Sequence, residues 1–342
     1  MSIKIQWFPQ AIPAKLSGRY AHIIALRITD SYALFQTDGE LNTARVPSGL
    51  EDKELMTRVT LFKRKQTTPE RLTGREWLRR HGVLSPEIPE KGSKKETDEQ
   101  GRLLCDYNEN FCKQCPDCIT YGFAIGDAGS EKSKVITDTG FSLTAYDHSH
   151  ETFTLNAPYE EGTMSRKGVV TSRINEADHV RPQVIFPAVI TVRDVTTALF
   201  DYALANVVRT KRYGAQTTRT GTVSNHIVAI ALTDGEVFSN LKFTQALHDA
   251  LKAKSGVLNP PDPIDTATAL AEAERLVPVL LKADGVAIDQ LLMGNELETV
   301  LTTLRERMED DGGAKTLLQA ALADSRIYAQ TYIVKKDKKS GS

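Results

Sequence analysis

The chain has 342 residues, 40% apolar and 25% charged, with a formal net charge of −1 and four cysteines. That length and balance fit an ordinary globular protein with a substantial core, in one large domain or two. The overall charge points to no partner class, and the longest apolar runs, such as residues 184–190, are far too short to span a bilayer.

The first ten residues, MSIKIQWFPQ, contain no apolar signal core, so a reducing, cytoplasmic setting is expected. Charge is unevenly placed. Residues 233–313 hold seven Lys/Arg against fifteen Asp/Glu, and residues 314–342 hold six against two. The remaining front part is therefore mildly basic, which suits a protein that holds an anion on one face.

Residues 20–37 are rich in β-branched and aromatic residues in partial alternation, which predicts one long strand or a strand pair bounded by Asp38-Gly39. Residues 40–49 read as loop, and residues 55–65 as a further strand. Thr67-Thr68-Pro69-Glu70 predicts a helix start, with threonine as cap and proline just inside. This helix runs to Gly82, with Leu72, Trp77 and Leu78 as its apolar face. Arg71, Arg75 and Arg79 recur every fourth residue and form a basic ridge, just after Lys63-Arg64-Lys65. The ridge reads equally as a solvated face or as a phosphate contact. Residues 85–100, rich in Pro, Lys and Glu, read as a mobile loop.

All four cysteines follow within fourteen residues: Cys105, Cys112, Cys115 and Cys118, spaced C-x6-C-x2-C-x2-C. Such spacing brings four soft ligands to one tetrahedral ion. Disulfides are the competing reading, but nothing suggests an oxidising compartment. A structural Zn2+ is expected; a catalytic one is not, because four thiolates leave no open position for water. Tyr121-Gly122-Phe123, a turn with Gly126 and Gly129, and Ser133-Lys134-Val135 lead into a strand over residues 135–146. Residues 126–133 resemble a P-loop, but Glu131 stands where a glycine should precede Lys132, so nucleotide hydrolysis is rejected. His148 and His150 read as surface histidines of a polar turn.

Residues 152–156 predict a short strand and residues 183–192 an apolar one. Between them, residues 157–182 are basic and carry no sustained apolar face. They read as a hairpin projecting from the sheet, or as a disordered surface loop. Arg166, Lys167 and Arg173 are its candidate phosphate contacts, and Met164, Val169 and Val170 are apolar residues suited to wedge between bases. Residues 194–208 predict an amphipathic helix capped by Asp194. A Gly/Thr-rich loop (213–224) and a strand (225–232) follow. Helical periodicity over residues 238–254, 267–282, 288–307 and 315–322 predicts an acidic helical lobe, with Pro278 as a kink point. Residues 327–334 are expected to return as a strand before a basic disordered tail.

Four segments, in order, resemble the RAMP superfamily of CRISPR proteins. They are Thr73-Gly74 with its arginines; the cysteine, Tyr-Gly and Ser-Lys-Val segment; Glu161-Gly162-Thr163-Met164-Ser165-Arg166 with Asn175 and Arg181 downstream; and Arg212-Tyr213-Gly214 with Arg219-Thr220-Gly221. Over residues 20–232 the chain resembles a Cas-seven-type backbone subunit of a type I CRISPR Cascade, most like subtype I-D. The resemblance implies an α+β fold, an elaborated ferredoxin-like (RRM-like) βαββαβ palm over residues 1–232. The palm would carry a zinc-binding insertion at 84–120 and a thumb hairpin at 157–182. The acidic helical lobe would span 233–325, and a return strand with the basic tail 326–342.

The same resemblance implies a subunit that polymerises along guide RNA (crRNA) beside other Cascade subunits, with target DNA or RNA held through the guide and no membrane partner. The expected RNA contacts are Lys63, Lys65, Arg71, Arg75, Arg79, Lys134, Arg166, Lys167, Arg173, Arg181, Arg212 and Arg219. A guide-independent grip must use phosphates, without base-edge readout. No catalytic residue is assigned. The alternatives are a RAMP-type nuclease using Asp38 or Glu40, although a surface turn explains Asp38 equally, and a zinc-containing nucleic-acid-binding protein outside CRISPR.

Overall fold

The computed structural model describes residues 3–36, 40–88, 95–125, 129–154 and 176–333, and the backbone of 165–166 and 169–170. In chain order the strands are β1 (Tyr20–Thr29), β2 (Thr43–Pro47), β3 (Leu55–Leu61), β4 (Phe123–Ala124), β5 (Ser130–Glu131), β6 (Val135–Thr137), β7 (Gly140–Phe141), β8 (His150–Thr154), β9 (Ser165–Arg166), β10 (Val169–Val170), β11 (Glu176–Val180), β12 (Ile185–Arg193), β13 (Val223–Thr233) and β14 (Ile288–Leu292). The helices are α1 (Lys63–Arg80), α2 (Pro116–Tyr121), α3 (Tyr146–Ser149), α4 (Thr197–Arg209), α5 (Asn240–Lys252), α6 (Thr266–Ala283), α7 (Gly294–Glu309) and α8 (Asp311–Tyr328).

β1 is buried along nearly its whole length because it sits mid-sheet with helices on both faces. The central sheet runs β14-β13-β1-β12-β6, and every neighbouring pair is antiparallel. Ala21 and Ile23 of β1 join a core with α1, α4, α7 and α8, whereas Ile24, Leu26 and Ile28 join a second core with α5 and α6. Smaller sheets flank this one: β2-β3-β7, the ribbon β8-β11, and the pair β4-β5 beside the cysteines. Of the expected thumb segment, residues 157–182, the structure describes β9 and β10, where Val169 pairs with Arg166, and residues 176–182, which include β11 paired with β8. Met164, Lys167 and Arg173 lie outside the described residues.

Several expectations change. The four C-terminal helices do not stand apart as a lobe; two pack on each face of the sheet. The apolar stripes of α5 (Phe243, Leu247, Leu251) and α6 (Ala273, Val277, Leu281) cover a face that β1, β12 and β13 would otherwise leave bare to water. Residues 288–292, expected to open a helix, form edge strand β14 on β13. No strand returns at 327–334 among the described residues, because α8 runs on into a π-helical turn at Ala329–Ile333. The strand expected over 135–146 is divided between β6 and β7, and residues 146–149 form α3. The cap of α4 is Thr196, not Asp194. Asp194 instead accepts hydrogen bonds from the backbone N–H groups of Ser17 (3.0 Å) and Arg19 (3.1 Å).

α1 starts at Lys63, which makes Pro69 an interior residue. A proline there cannot donate to the carbonyl four residues back, that of Lys65. Gly214 N–H supplies the missing partner at 3.1 Å, so the broken helical bond becomes an anchor for the Gly-rich loop. Gly214 (φ +98°) passes so close to the chain after β1 that a Cβ would lie 2.3 Å from the Leu34 carbonyl oxygen, and a Cβ on Gly221 would lie 2.5 Å from that of Tyr32. Tyr213, just before Gly214, is fully buried, donating to Glu70 (3.1 Å) with Arg27 4.7 Å above its ring. Gly74 has a packing reason as well: a Cβ there would sit 2.4–2.5 Å from the Asn206 amide and the Tyr202 hydroxyl of α4.

Candidate metal centre and nucleic-acid interface

The cysteine module is assembled by local turns. Cys115 caps α2 and Pro116 occupies its first turn, where a missing N–H costs nothing. Cys118 N–H points at Cys115 Sγ (3.4 Å), and Cys112 N–H at Cys105 Sγ (3.3 Å). The four sulfurs lie within 4.8 Å of one another and form no disulfide. The Sγ separations are 3.9 Å (Cys105–Cys115), 3.7 Å (Cys105–Cys118) and 4.0 Å (Cys112–Cys118). Zinc–sulfur bonds of about 2.3 Å imply tetrahedral edges of about 3.8 Å, so donor type and spacing both fit a closed four-thiolate site. Hydrogen bonds from the neighbouring thiols, with Arg75 behind them, hold Cys105 well below the usual thiol range, whereas burial pushes Cys115 up. His148 and His150 take no part; His150 stacks on Tyr146 at 3.8 Å.

The expected arginine ridge of α1 is divided by burial. Asp117, between two of the cysteines, receives Arg71 through Nε (3.0 Å) and Nη2 (2.9 Å), and Arg75 through Nη1 (2.8 Å). The Arg75 and Asp117 side chains are 0% exposed. Arg75 also donates to the Cys105 carbonyl (2.6 Å) and meets Cys105 Sγ at 3.4 Å. Burial opposes the charge on both arginines, but the Asp117 carboxylate together with the nearby cysteine sulfurs outweighs it and holds them above their ordinary range. Arg75 thus faces the cysteines, not solvent, and only Arg79 of the three is outside the core. Gly122 closes α2 at φ +76°, where a Cβ would come within 2.5 Å of Glu131 O; its carbonyl takes a further bond from Arg71 (3.0 Å).

Two other expected contacts also turn inward. Lys65 is buried and donates to Phe35 O (2.5 Å). Lys134 bonds Glu131 (2.8 Å) and Ile119 O (3.1 Å) and sits 4.5 Å from the Tyr328 ring, tying the module to α8. Arg181 pairs with Glu151 at 3.3 Å. Lys63, Arg64, Arg212 and Arg219 remain exposed. The Gly214–Lys65 backbone bond brings the Gly-rich loop, with Arg212 and Arg219, against the start of α1, which carries Lys63 and Arg64. Arg64 was legible only as part of the Lys-Arg-Lys run, and Asp117 and Tyr107 gave no signal beyond lying among the cysteines. A cleft of about 360 Å³ opens there between α1 and the module.

Of the carboxylates weighed for catalysis, Asp38 lies outside the described residues. Glu40 lines an open pocket of about 740 Å³ with Glu176 and Asp178, and none of the three joins a metal-ligand grouping among the described residues.

The fold and site define a mixed α/β protein with an antiparallel sheet, helices on both sheet faces and a cluster of four cysteines, placed to bind a metal ion, docked on its first helix. A family model described as "Csc2 Crispr" matches residues 7–318, and the chain belongs to this family. The solved structure described as Thermofilum pendens Csc2 is similar in fold, with a TM-score of 0.61 and 13% identity over 96% of this chain and 95% of that one. A chain of a "CRISPR RNA-guided surveillance complex, pre-nicking" aligns with a TM-score of 0.49 and 12% identity, covering 90% of this chain and 99% of that one. One of a "CRISPR RNA-guided surveillance complex" aligns at 0.43 and 13%, covering 89% and 98%. No curated protein matches the chain.

Proposed function

We propose that the chain is a non-catalytic, crRNA-binding backbone subunit of a CRISPR effector complex, of the Cascade type and subtype I-D, acting in the cytoplasm. Family membership over residues 7–318 carries this reading. Copies polymerise along the guide, contact other Cascade subunits, and support hybridisation of the target nucleic acid.

The chain order β1, α1, β6, β12, α4, β13, with sheet order β13-β1-β12-β6, supports reading the palm as an elaborated ferredoxin-like βαββαβ unit. The exposed cations Lys63, Arg64, Arg212 and Arg219, with the half-buried Arg79, supply a sequence-independent grip on phosphates. Arg166, Lys167 and Arg173 of the thumb extend it to the next copy, with Met164, Val169 and Val170 as the wedge. The four thiolates hold one Zn2+, which has a structural role and no part in chemistry.

Co-expression with a CRISPR array tests the reading. Regular filaments protecting guide RNA at fixed intervals are expected, with one zinc per chain by elemental analysis. Deleting residues 162–175, which spares β11, should leave a folded, zinc-loaded monomer that no longer forms filaments. Regular cuts in target RNA would replace the reading with the nuclease.

A further inference from the structure

The cleft beside the cysteines has two walls of different origin. One belongs to α1 and presents Lys63, Arg64 and Arg71; the other belongs to the cysteine module and presents Tyr107, Tyr121 and Ser133. Tyr107 lies in the loop between the first two cysteines. Its ring is 4.8 Å from the Arg71 guanidinium and its hydroxyl 3.4 Å from Thr68 Oγ1. Arg71 is clamped from behind by Asp117, which sits on the turn between Cys115 and Cys118, and Asp117 is shared with Arg75, which reaches Cys105. Tyr107 is thus two positions from a thiolate, and Arg71 is bonded to a residue one position from another.

We propose that the metal centre and this basic cleft are one cooperative unit, in which the Arg71–Asp117–Arg75 strut and Tyr107 transmit metal occupancy to the binding of a single-stranded polyanion. The inference rests on the guide-binding reading for the identity of that polyanion. Its physical basis is local order. Asp106 and Asn110 bridge the base of the loop, but four sulfurs, three of them in buried cysteines, with no ion between them do not hold residues 105–118 in one arrangement. Without the ion Tyr107 leaves its wall and Asp117 no longer aims Arg71. Arg75 works in the opposite direction: its charge lies against Cys105 and favours the doubly negative four-thiolate complex, as outer-shell partners do. Arg71 and Arg75 are therefore positioning residues, one toward the cleft and one toward the metal.

The full chain is titrated with a mixed-sequence single-stranded RNA, zinc-loaded and after chelation, and zinc affinity is measured by competition with a chromophoric chelator with and without RNA. The metal-free protein should bind RNA about tenfold more weakly, and RNA should raise zinc affinity by the same factor, since coupling is reciprocal. Arg75→Met should lower zinc affinity about tenfold or more without RNA present. Tyr107→Ala should weaken RNA binding while zinc affinity without RNA stays close to the parent's. Equal RNA affinity with and without zinc, or zinc affinity indifferent to RNA, overturns the proposal. Should chelation unfold the whole chain, Asp117→Asn at saturating zinc decides: weaker RNA binding supports the strut and unchanged binding refutes it. Failure of both metal states to bind any RNA removes the guide-binding reading and the coupling with it, and the Arg75→Met competition then tests the metal-directed half alone.

Discussion

Asp117→Asn keeps side-chain volume and removes one charge from between two arginines. In the parent, Asp117 accepts three hydrogen bonds, at 3.0, 2.9 and 2.8 Å, with no solvent exposure of its own. Removing one partner of a buried pair costs about 3–5 kcal/mol, because the remaining charge stays desolvated. Here Arg75 keeps the Cys105 carbonyl at 2.6 Å and Arg71 keeps that of Gly122 at 3.0 Å, which favours the lower end, about 3 kcal/mol. That is a large share of the roughly 5–15 kcal/mol available to a folded domain. The loss should be greater after chelation, when Arg75 faces the Cys105 sulfur alone in place of a doubly negative metal–thiolate group. Urea unfolding followed by tryptophan fluorescence suits the question, since Trp77 is buried on the same helix. A loss below about 1 kcal/mol, the level of an exposed ion pair, would refute the strut as a source of stability.

His22 gives a pH signature. It bridges Thr191 (2.8 Å) and Thr233 (2.9 Å) across the centre of the sheet, and burial lowers its pKa from 6.5 to about 4. A base with a depressed folded pKa binds fewer protons folded than unfolded, so its stabilisation is complete above the unfolded value and declines between 6.5 and 4. The parent should lose about 2 kcal/mol more than His22→Gln between pH 7 and pH 5, and parallel pH profiles would show the residue to be uninvolved. Gly74→Ala places a methyl against Asn206 and Tyr202 and should cost about 1–3 kcal/mol or more, read by the same urea titration; a neutral result would mean that α1 and α4 separate easily. Lys63→Ala with Arg64→Ala should reduce the slope of log affinity against log salt by about 0.7 for each phosphate no longer neutralised, equally for all RNA sequences. An unchanged slope would move the interface away from the start of α1.

Much of this molecule is readable without coordinates. β1, β12 and β13 are recognisable as apolar runs, because a strand covered on both faces has no polar side to conceal it. The cysteine module is equally local: its ligands lie close in sequence, and tight turns suffice to gather them. The order of elements along the palm follows from the same short-range patterns. Sequence does not reveal the direction in which charge points. Arg71, Arg75 and Arg79 are identical residues at even spacing, and composition offers no way to tell the one beside Cys105 from the one left half-buried outside the core.

That choice is made by Asp117, which is 46 residues from Arg71 along the chain and reaches it only when α2 lies across α1. The same holds for Arg27 and Glu70, paired at 2.6 Å in the core, and for Lys134 under Tyr328. The four C-terminal helices likewise showed their amphipathic stripes but not which sheet face each would cover, since an apolar stripe specifies burial and not its partner. Pro69 marks the clearest boundary between the two kinds of information. Sequence places it near a helix start by its missing N–H, and only the tertiary structure brings Gly214 to the carbonyl which that missing group leaves open.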